Sequence, residues 1–221
     1  MVMAFFRGRG ESTLDEVKGT LVSMLADGRT VFDTATDAVF GGGKSKQTKQ
    51  TVRSTDQEIN TAQQRVRRSL MMHSAVTTVD LPAVLAYMSI VKDAERIGDY
   101  AKNMYDLAKY GANFELAEDH DELLAYRDAV GQLIDDAAAT FASQDEAQAQ
   151  KLIDKADGFL TDYDHKIKAA FRSEGTADQA VARALYYRYL KRITAHIMNM
   201  LTAIVMPIER LDYYDEAPED R

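Results

Sequence analysis

The sequence lacks cysteine altogether and has only 4 histidines and 3 prolines among its 221 residues. Without cysteine, disulfides, thiolate zinc sites and iron–sulfur clusters are excluded, so any bound metal has to rest on carboxylates or histidine. The scarcity of proline, together with abundant alanine, leucine, lysine, glutamate and glutamine, favours long helices. No alternation of apolar and polar residues is sustained long enough to predict a strand.

Long hydrophobic runs are also missing. The longest apolar stretches, Leu81–Val91 and Ala203–Ile208, are shorter than the roughly 20 residues of a spanning helix. The first ten residues are interrupted by Arg7 and Arg9, so they do not predict a signal peptide. The net charge of −8 disfavours nucleic acid as a partner, and there is no polybasic patch for a membrane. We expect a cytoplasmic protein that meets membranes only through its partners.

The apolar residues that are present recur at three- and four-residue intervals, which predicts amphipathic helices. Ser12 or Thr13, Asp80 and Thr176 are suitable N-caps, and Gly111 is a suitable helix stop. Pro82 falls in a first helical turn, where its missing N–H costs little. The expected bounds of the six helices are about 12–40, 45–72, 80–110, 121–141, 145–171 and 176–207.

A weak internal repeat divides these helices into two sets of three. The segment Glu95–Met104 aligns with Lys191–Met200 at an offset of 96 residues, with identical Arg, Ile, Asn and Met at four of the ten positions. We therefore predict an all-α fold of two tandem antiparallel three-helix bundles. The first is expected in residues 1–112, the second in residues 113–211, and an acidic tail in residues 212–221.

Two acidic residues on the third helix are the strongest chemical signal. Glu95 and Asp99 are one helical turn apart, so their Cβ atoms lie about 6 Å from each other on one face. Carboxylates at this spacing repel unless a cation lies between them, and oxygen ligands suit a hard cation. Asp56, on the second helix, is the candidate third ligand. The opposite side of the helix carries the expected core residues Ile90, Ile97 and Met104. The carboxylates should therefore face outward or into a shallow groove.

The same pair also has a plainer interpretation, since acids at this spacing are common on exposed helices. Arg96 or Lys92 could simply neutralise them. In the second repeat, Lys191 and Ala195 stand where the two acids would be, so a second site is predicted to be lost or replaced. Asp157, Asp162 and Asp164 leave only a weak supply of carboxylates there. The isolated histidines are expected to be structural or on the surface: His73, His120 and His196.

The segment Asp93–Asn103, which contains the acidic pair, resembles the signature of the PhoU family, and the number and order of the helices resemble it over nearly the whole chain. The resemblance implies two tandem three-helix bundles and control of phosphate import. It implies binding to a transporter ATPase or a membrane sensor kinase, and a metal ion or cluster on the acidic helix faces. The metal would be iron, zinc, magnesium or calcium. Related proteins are commonly dimers, so a homodimer is expected.

Three hypotheses about function follow. The first is a regulatory, non-enzymatic adaptor for phosphate transport, because no nucleophile with an activating base can be identified. The second is a carboxylate metal-binding bundle, either a metal store or a metalloenzyme. The absence of Glu-x-x-His motifs speaks against a ferritin-type site. The third is a structural bundle in which the acids serve only solubility.

Overall fold

The computed structural model describes residues 2–76 and 80–211, and for residues 2–12 and 76 it describes the backbone alone. Within these ranges the chain forms α-helices, one short 3-10 helix and no strand, which confirms the all-α class. The helices are α1 (Val2–Val39), α2 (Lys46–Val76), α3 (Leu81–Lys109), α4 (His120–Ser143), α5 (Glu146–Ala170) and α6 (Ala177–Val205). The 3-10 helix, Ile208–Arg210, follows α6.

These helices form the two predicted bundles. Helices α1, α2 and α3 pack against one another, and α4, α5 and α6 do the same. The bundles meet along two helix pairs, α3 with α6 and α1 with α4. The exact domain boundary between residues 112 and 113 stays a prediction. The acidic tail predicted for residues 212–221 lies outside the described residues.

Most of the predicted helix ends are confirmed. The Asp80 carboxylate accepts a hydrogen bond from the Ala83 backbone N–H at 3.2 Å, and Asp145 caps α5 in the same way through Gln148 at 2.9 Å. Each bond satisfies one of the free N–H groups of a first turn. Gly111 follows α3 with a φ of +106°, a conformation that glycine adopts at little cost.

The predicted start of α1 is wrong. The helix begins at Val2, so Ser12 and Thr13 lie inside it and not at its N-cap position. A serine or threonine marks a helix start only where the residues before it leave the helix, and no proline precedes these two to enforce that. Thr176 does occupy the N-cap position of α6, but its side chain makes no capping hydrogen bond.

The core follows the predicted stripes. On α2, three apolar residues spaced by seven are buried, and on α3 the expected seam is fully buried: Val52, Ile59 and Val66, then Ile90, Ile97 and Met104. Aromatic rings fill the junction of the bundles, where Phe114 packs edge-on against Phe40 and Tyr186. None of the described helices is long and apolar enough to cross a bilayer.

Candidate functional site

The acidic pair lies on the face of α3 that turns toward α2. Ile97, between the two acids in sequence, is fully buried, so the helix presents Glu95 and Asp99 at the edge of the core. The Glu95 side chain is only 17% exposed and that of Asp99 30%. Asp56, on α2, is 17% exposed. The carboxylates are therefore half-buried, which is nearer to the predicted shallow groove than to a fully outward-facing pair.

Lys102 joins the acids of the two helices. Its ammonium nitrogen lies 2.8 Å from Asp56 Oδ1 and 2.8 Å from Asp99 Oδ1, so it donates to both. The site thus brings the predicted Asp56 and Asp99 together around a residue that the sequence analysis did not single out. The only signal for it was its position three residues after Asp99, a spacing that places both on one helical face.

Glu95 is held differently. Arg96 Nε lies 3.9 Å from Glu95 Oε2, and Arg96 Nη1 lies 3.9 Å from Asp99 Oδ2. These are ion pairs beyond hydrogen-bonding distance. Desolvation raises the pKa of the Glu95 carboxyl, the nearby Asp99 and Asp56 carboxylates raise it further, and Arg96 and Lys102 oppose this. The predicted neutraliser Arg96 is therefore present but weak, and among the described residues Lys92 forms no ion pair with Glu95 or Asp99.

The pKa of Lys102 is also raised, because its hydrogen bonds to Asp56 and Asp99 outweigh its desolvation. Its ammonium is charged at neutral pH and lies between two carboxylates, the place that a bridging cation would take. Carboxylate oxygens are suitable donors for a hard cation. As the side chains stand, the described residues include no group of three His, Cys, Asp or Glu side chains that could hold a metal. The carboxylate oxygens are suitable ligands for a metal, but the Lys102 ammonium occupies the place between them where the metal would bind.

The equivalent surface of the second bundle is built on a different pair. Lys191 lies on α6 at the position that matches Glu95, and its nitrogen is 2.7 Å and 2.6 Å from the two carboxylate oxygens of Asp164 on α5. Lysine and carboxylate again link the middle and third helices, but here one acid meets one lysine. Ala195 offers no ligand at the position that matches Asp99.

A second polar cluster, between the bundles, was missed by sequence reasoning. Asp93 on α3 is buried, and its Oδ1 accepts hydrogen bonds from His196 Nδ1 at 2.8 Å and from Asn199 Nδ2 at 3.0 Å. The His196 ring stacks on Tyr100, with ring centroids 5.7 Å apart. His196 is therefore structural, as predicted, but it is not isolated.

The chain is similar to known proteins in sequence and in fold. Residues 21–108, which contain Asp56 and the acidic pair, match the family model of the PhoU domain. A phosphate-specific transport system accessory protein PhoU homolog from Synechocystis is 28% identical over 136 residues. That alignment spans 60% of this chain and 60% of the relative's length.

Two solved structures share the fold over most of the chain. The phosphate transport system regulatory protein PhoU from Streptococcus pneumoniae has a TM-score of 0.74 at 20% identity, covering 90% of this chain and 96% of that one. PhoU from Pseudomonas aeruginosa has a TM-score of 0.77 at 19% identity, covering 90% and 98%. The predicted six-helix fold and the resemblance to the PhoU family are both confirmed.

Proposed function

We propose that this chain, which carries a PhoU domain in residues 21–108, regulates phosphate transport by binding other proteins. The match of that domain is the observation that carries the proposal, because it covers the half-buried carboxylate face of α3. The partners proposed are the ATPase of a phosphate transporter or a sensor kinase. The curated Synechocystis relative, named for phosphate-specific transport, supports the same process.

The test is made in cells of the source organism. Cells that lack the gene should fail to reduce phosphate uptake when external phosphate is raised, and the restored gene should return that response. Tagged protein captured from phosphate-rich and phosphate-starved cells should bring down a transporter ATPase or a kinase in amounts that differ between the two conditions. Unchanged uptake in the deletion strain would refute the proposal.

The activity proposed is binding without turnover. Among the described residues, the carboxylates of Glu95 and Asp99 pair with Arg96 and Lys102 and form no hydrogen bond with a hydroxyl that they could activate. Purified protein should therefore release no phosphate from phosphate esters or nucleotides. Hydrolysis that disappears on Glu95→Gln or Asp99→Asn would contradict this.

Metal binding at Glu95, Asp99 and Asp56 is a separate proposal, and Lys102 sets its condition. A cation that binds there has to displace the ammonium from Asp56 and Asp99, so the lysine competes with the metal. Lys102→Met should raise the content of iron, zinc, magnesium or calcium in protein from metal-replete medium. Glu95→Ala with Asp99→Ala should abolish it.

The matched control for metal binding lies one to two turns further along α3. Lys109 pairs with Asp106 at 3.4 Å, so Lys109→Met removes a lysine from an acid of the same helix without touching the carboxylate face. Its metal content should equal that of the unchanged protein. If Lys102→Met protein contains no metal, or if the double alanine variant keeps all of it, the carboxylate face binds no metal.

Dimerisation also stays a prediction. Sedimentation at several protein concentrations measures it directly.

A further inference from the structure

A groove lies at the junction of the bundles, far along α3 from the carboxylate face. It is formed by the end of α3, the connection to α4 and the first turns of α6, and its volume is about 920 Å³. Its floor is apolar and buried, with Phe114 and Leu107 at the bottom. We call it the junction groove.

The walls of the junction groove are apolar but exposed. Leu116 is 93% exposed and Tyr110 78%, and Val181 and Leu185, one turn apart on α6, are 55% and 36% exposed. Single exposed apolar residues are ordinary, but a group of large ones around one concave surface indicates a site of interaction. From Asp178 to Leu185 the wall extends about 10 Å along α6, which is the length of two helical turns.

The charge on the rim is negative. Arg183 is the groove's basic residue, and it is neutralised by Asp119, whose oxygens lie 2.8 Å and 2.6 Å from the guanidinium nitrogens. Glu118 and Asp178 are exposed, and within the described part of the chain neither has a lysine or arginine at ion-pair distance. A hydrogen bond from the Thr176 hydroxyl lowers the pKa of Asp178, so this acid is charged at neutral pH. The rim therefore attracts cations.

We propose that the junction groove binds a short amphipathic helix of another protein, with large apolar side chains along one face and lysine or arginine beside them. The apolar face would cover Leu116, Val181 and Leu185, and the cations would meet Glu118 and Asp178. Helices that bind in grooves make this combination of apolar anchors and complementary charge. The proposal deepens the proposed function, on which it rests, by naming a docking surface and the chemistry of the partner segment.

The probe is a short fluorescent peptide of leucine and lysine, arranged so that a helix has one apolar face. Its anisotropy on titration with purified protein gives the dissociation constant. Leu116→Ser with Val181→Ser should weaken binding at least about tenfold, because anchors at the centre of an interface carry most of the affinity. Both residues are exposed, so the variant keeps its fold, which circular dichroism checks.

Two matched variants separate the groove from general stickiness. Phe171→Ser removes an equally exposed apolar residue, 83% exposed, that does not line the groove, and it should leave the affinity unchanged. Glu118→Gln with Asp178→Asn should weaken binding and reduce its dependence on salt. The same peptide with glutamate in place of lysine should bind more weakly than the lysine peptide.

Four results would overturn the proposal: no binding, equal losses with Phe171→Ser and the groove variant, equal or tighter binding of the glutamate peptide, or self-association that Leu116→Ser removes. The last would make a second copy of this chain the occupant. Peptide binding is measured on purified protein and the proposed function in cells, so either can fail alone. If the deletion strain loses the phosphate response but the purified protein binds no peptide, only the groove proposal is refuted.

Discussion

The third helices of the two bundles occupy equivalent places but differ in side-chain size and charge. Ala94 and Gly98 on α3 correspond to Leu190 and Thr194 on α6, and all four are buried. The acids of α3 give way to Lys191 and Ala195. In the first bundle Gly98 packs against Ile59 of α2, and Lys102 joins Asp56 on α2 to Asp99 on α3. The second bundle has larger side chains at the matching positions and joins its middle and third helices through the Lys191–Asp164 ion pair.

The third helix carries the acidic pair in the first half and a lysine in the second, but the net charge of the two halves has the opposite trend. Residues 1–112 carry 15 Lys and Arg against 13 Asp and Glu, a net charge of +2, whereas residues 113–221 carry 12 against 22, a net charge of −10. The first half concentrates carboxylates at one face of α3 within a nearly neutral bundle. In the second half, the described residues carry acids at several exposed positions, including the rim of the junction groove. The two bundles therefore share a fold but present surfaces that differ in charge.

The largest expected effect tests whether the two cores are equivalent. Ile97 and Ile193 are matched by the repeat, and both are fully buried. Ile97→Ala and Ile193→Ala should each lower the free energy of unfolding by about 2–5 kcal/mol, since each leaves a cavity in a packed core. Urea denaturation followed by circular dichroism measures this. A cost below about 1 kcal/mol at only one of the sites would show that the bundles do not share a core design.

The next effect concerns the cluster that joins the bundles. Asp93→Ala leaves the His196 and Asn199 donors without their acceptor, which should cost about 2–4 kcal/mol in the free energy of unfolding. Asp99→Ala, on the same helix but in the half-exposed carboxylate face, should cost about 0.5 kcal/mol. The same urea titration compares them. Equal costs would mean that the buried cluster contributes no more than the surface pair.

These two aspartates also mark the limit of what the sequence could predict. Periodicity identified the buried seams, and the N-cap Asp80 identified the start of α3, because both signals are local. Asp93, by contrast, meets His196 across 103 residues, and that contact depends on how one bundle rotates against the other. The spacing of Asp93 from Ile90 and Ile97 places it beside the buried seam, but it does not identify the partners on α6 that accompany a buried carboxylate.

The acids of the candidate site could be predicted from the sequence, but the lysine that joins them could not. The one-turn spacing brings Glu95 and Asp99 to one face, and Asp56, the candidate from the second helix, is joined to Asp99 through Lys102. Lys102 was not predicted because the helix also carries Lys92, Arg96 and Lys109. Which of these cations reaches across to α2 is decided by the distance between the helices.

Gly98 is the smallest residue at the contact of α3 with α2, and its substitution tests how closely the two helices have to approach. A Cβ built on Gly98 would lie 2.7 Å from Ile59 Cδ1 on α2. Gly98→Thr, which introduces the residue type of the second bundle, should therefore destabilise the protein by about 1–3 kcal/mol through overpacking. Thermal or urea unfolding measures it.

Gly158 on α5 provides the matched control for Gly98, because no atom lies within 4 Å of a Cβ built there. Gly158→Thr should be neutral or stabilise the helix by a few tenths of a kcal/mol, since threonine forms helices better than glycine. If Gly98→Thr proved as harmless as this control, α2 and α3 would have room to separate. The contact with Ile59 would then not explain why the first bundle has glycine where the second has Thr194.

The smallest expected effect is the titration of Glu95, which has no acidic counterpart in the second bundle. Burial and the Asp99 and Asp56 carboxylates raise its pKa above the ordinary value of 4.5, and Lys102 lowers it. The folded protein therefore keeps this proton to a higher pH than the unfolded chain, so its stability falls as the pH rises from 4.5 through the raised pKa. Glu95→Gln should raise the free energy of unfolding by at most about 0.5 kcal/mol at pH 7, and the gain should vanish below pH 4.5.

In a carbon-13 NMR titration of the side-chain carboxyl, Lys102→Met should move the Glu95 midpoint upward and Asp99→Asn should move it downward. Lys109→Met should leave the midpoint where it is. A midpoint indifferent to Lys102 and Asp99 would mean that the carboxylate face is not an electrostatically coupled unit, and that its contrast with the Lys191–Asp164 pair is one of composition alone.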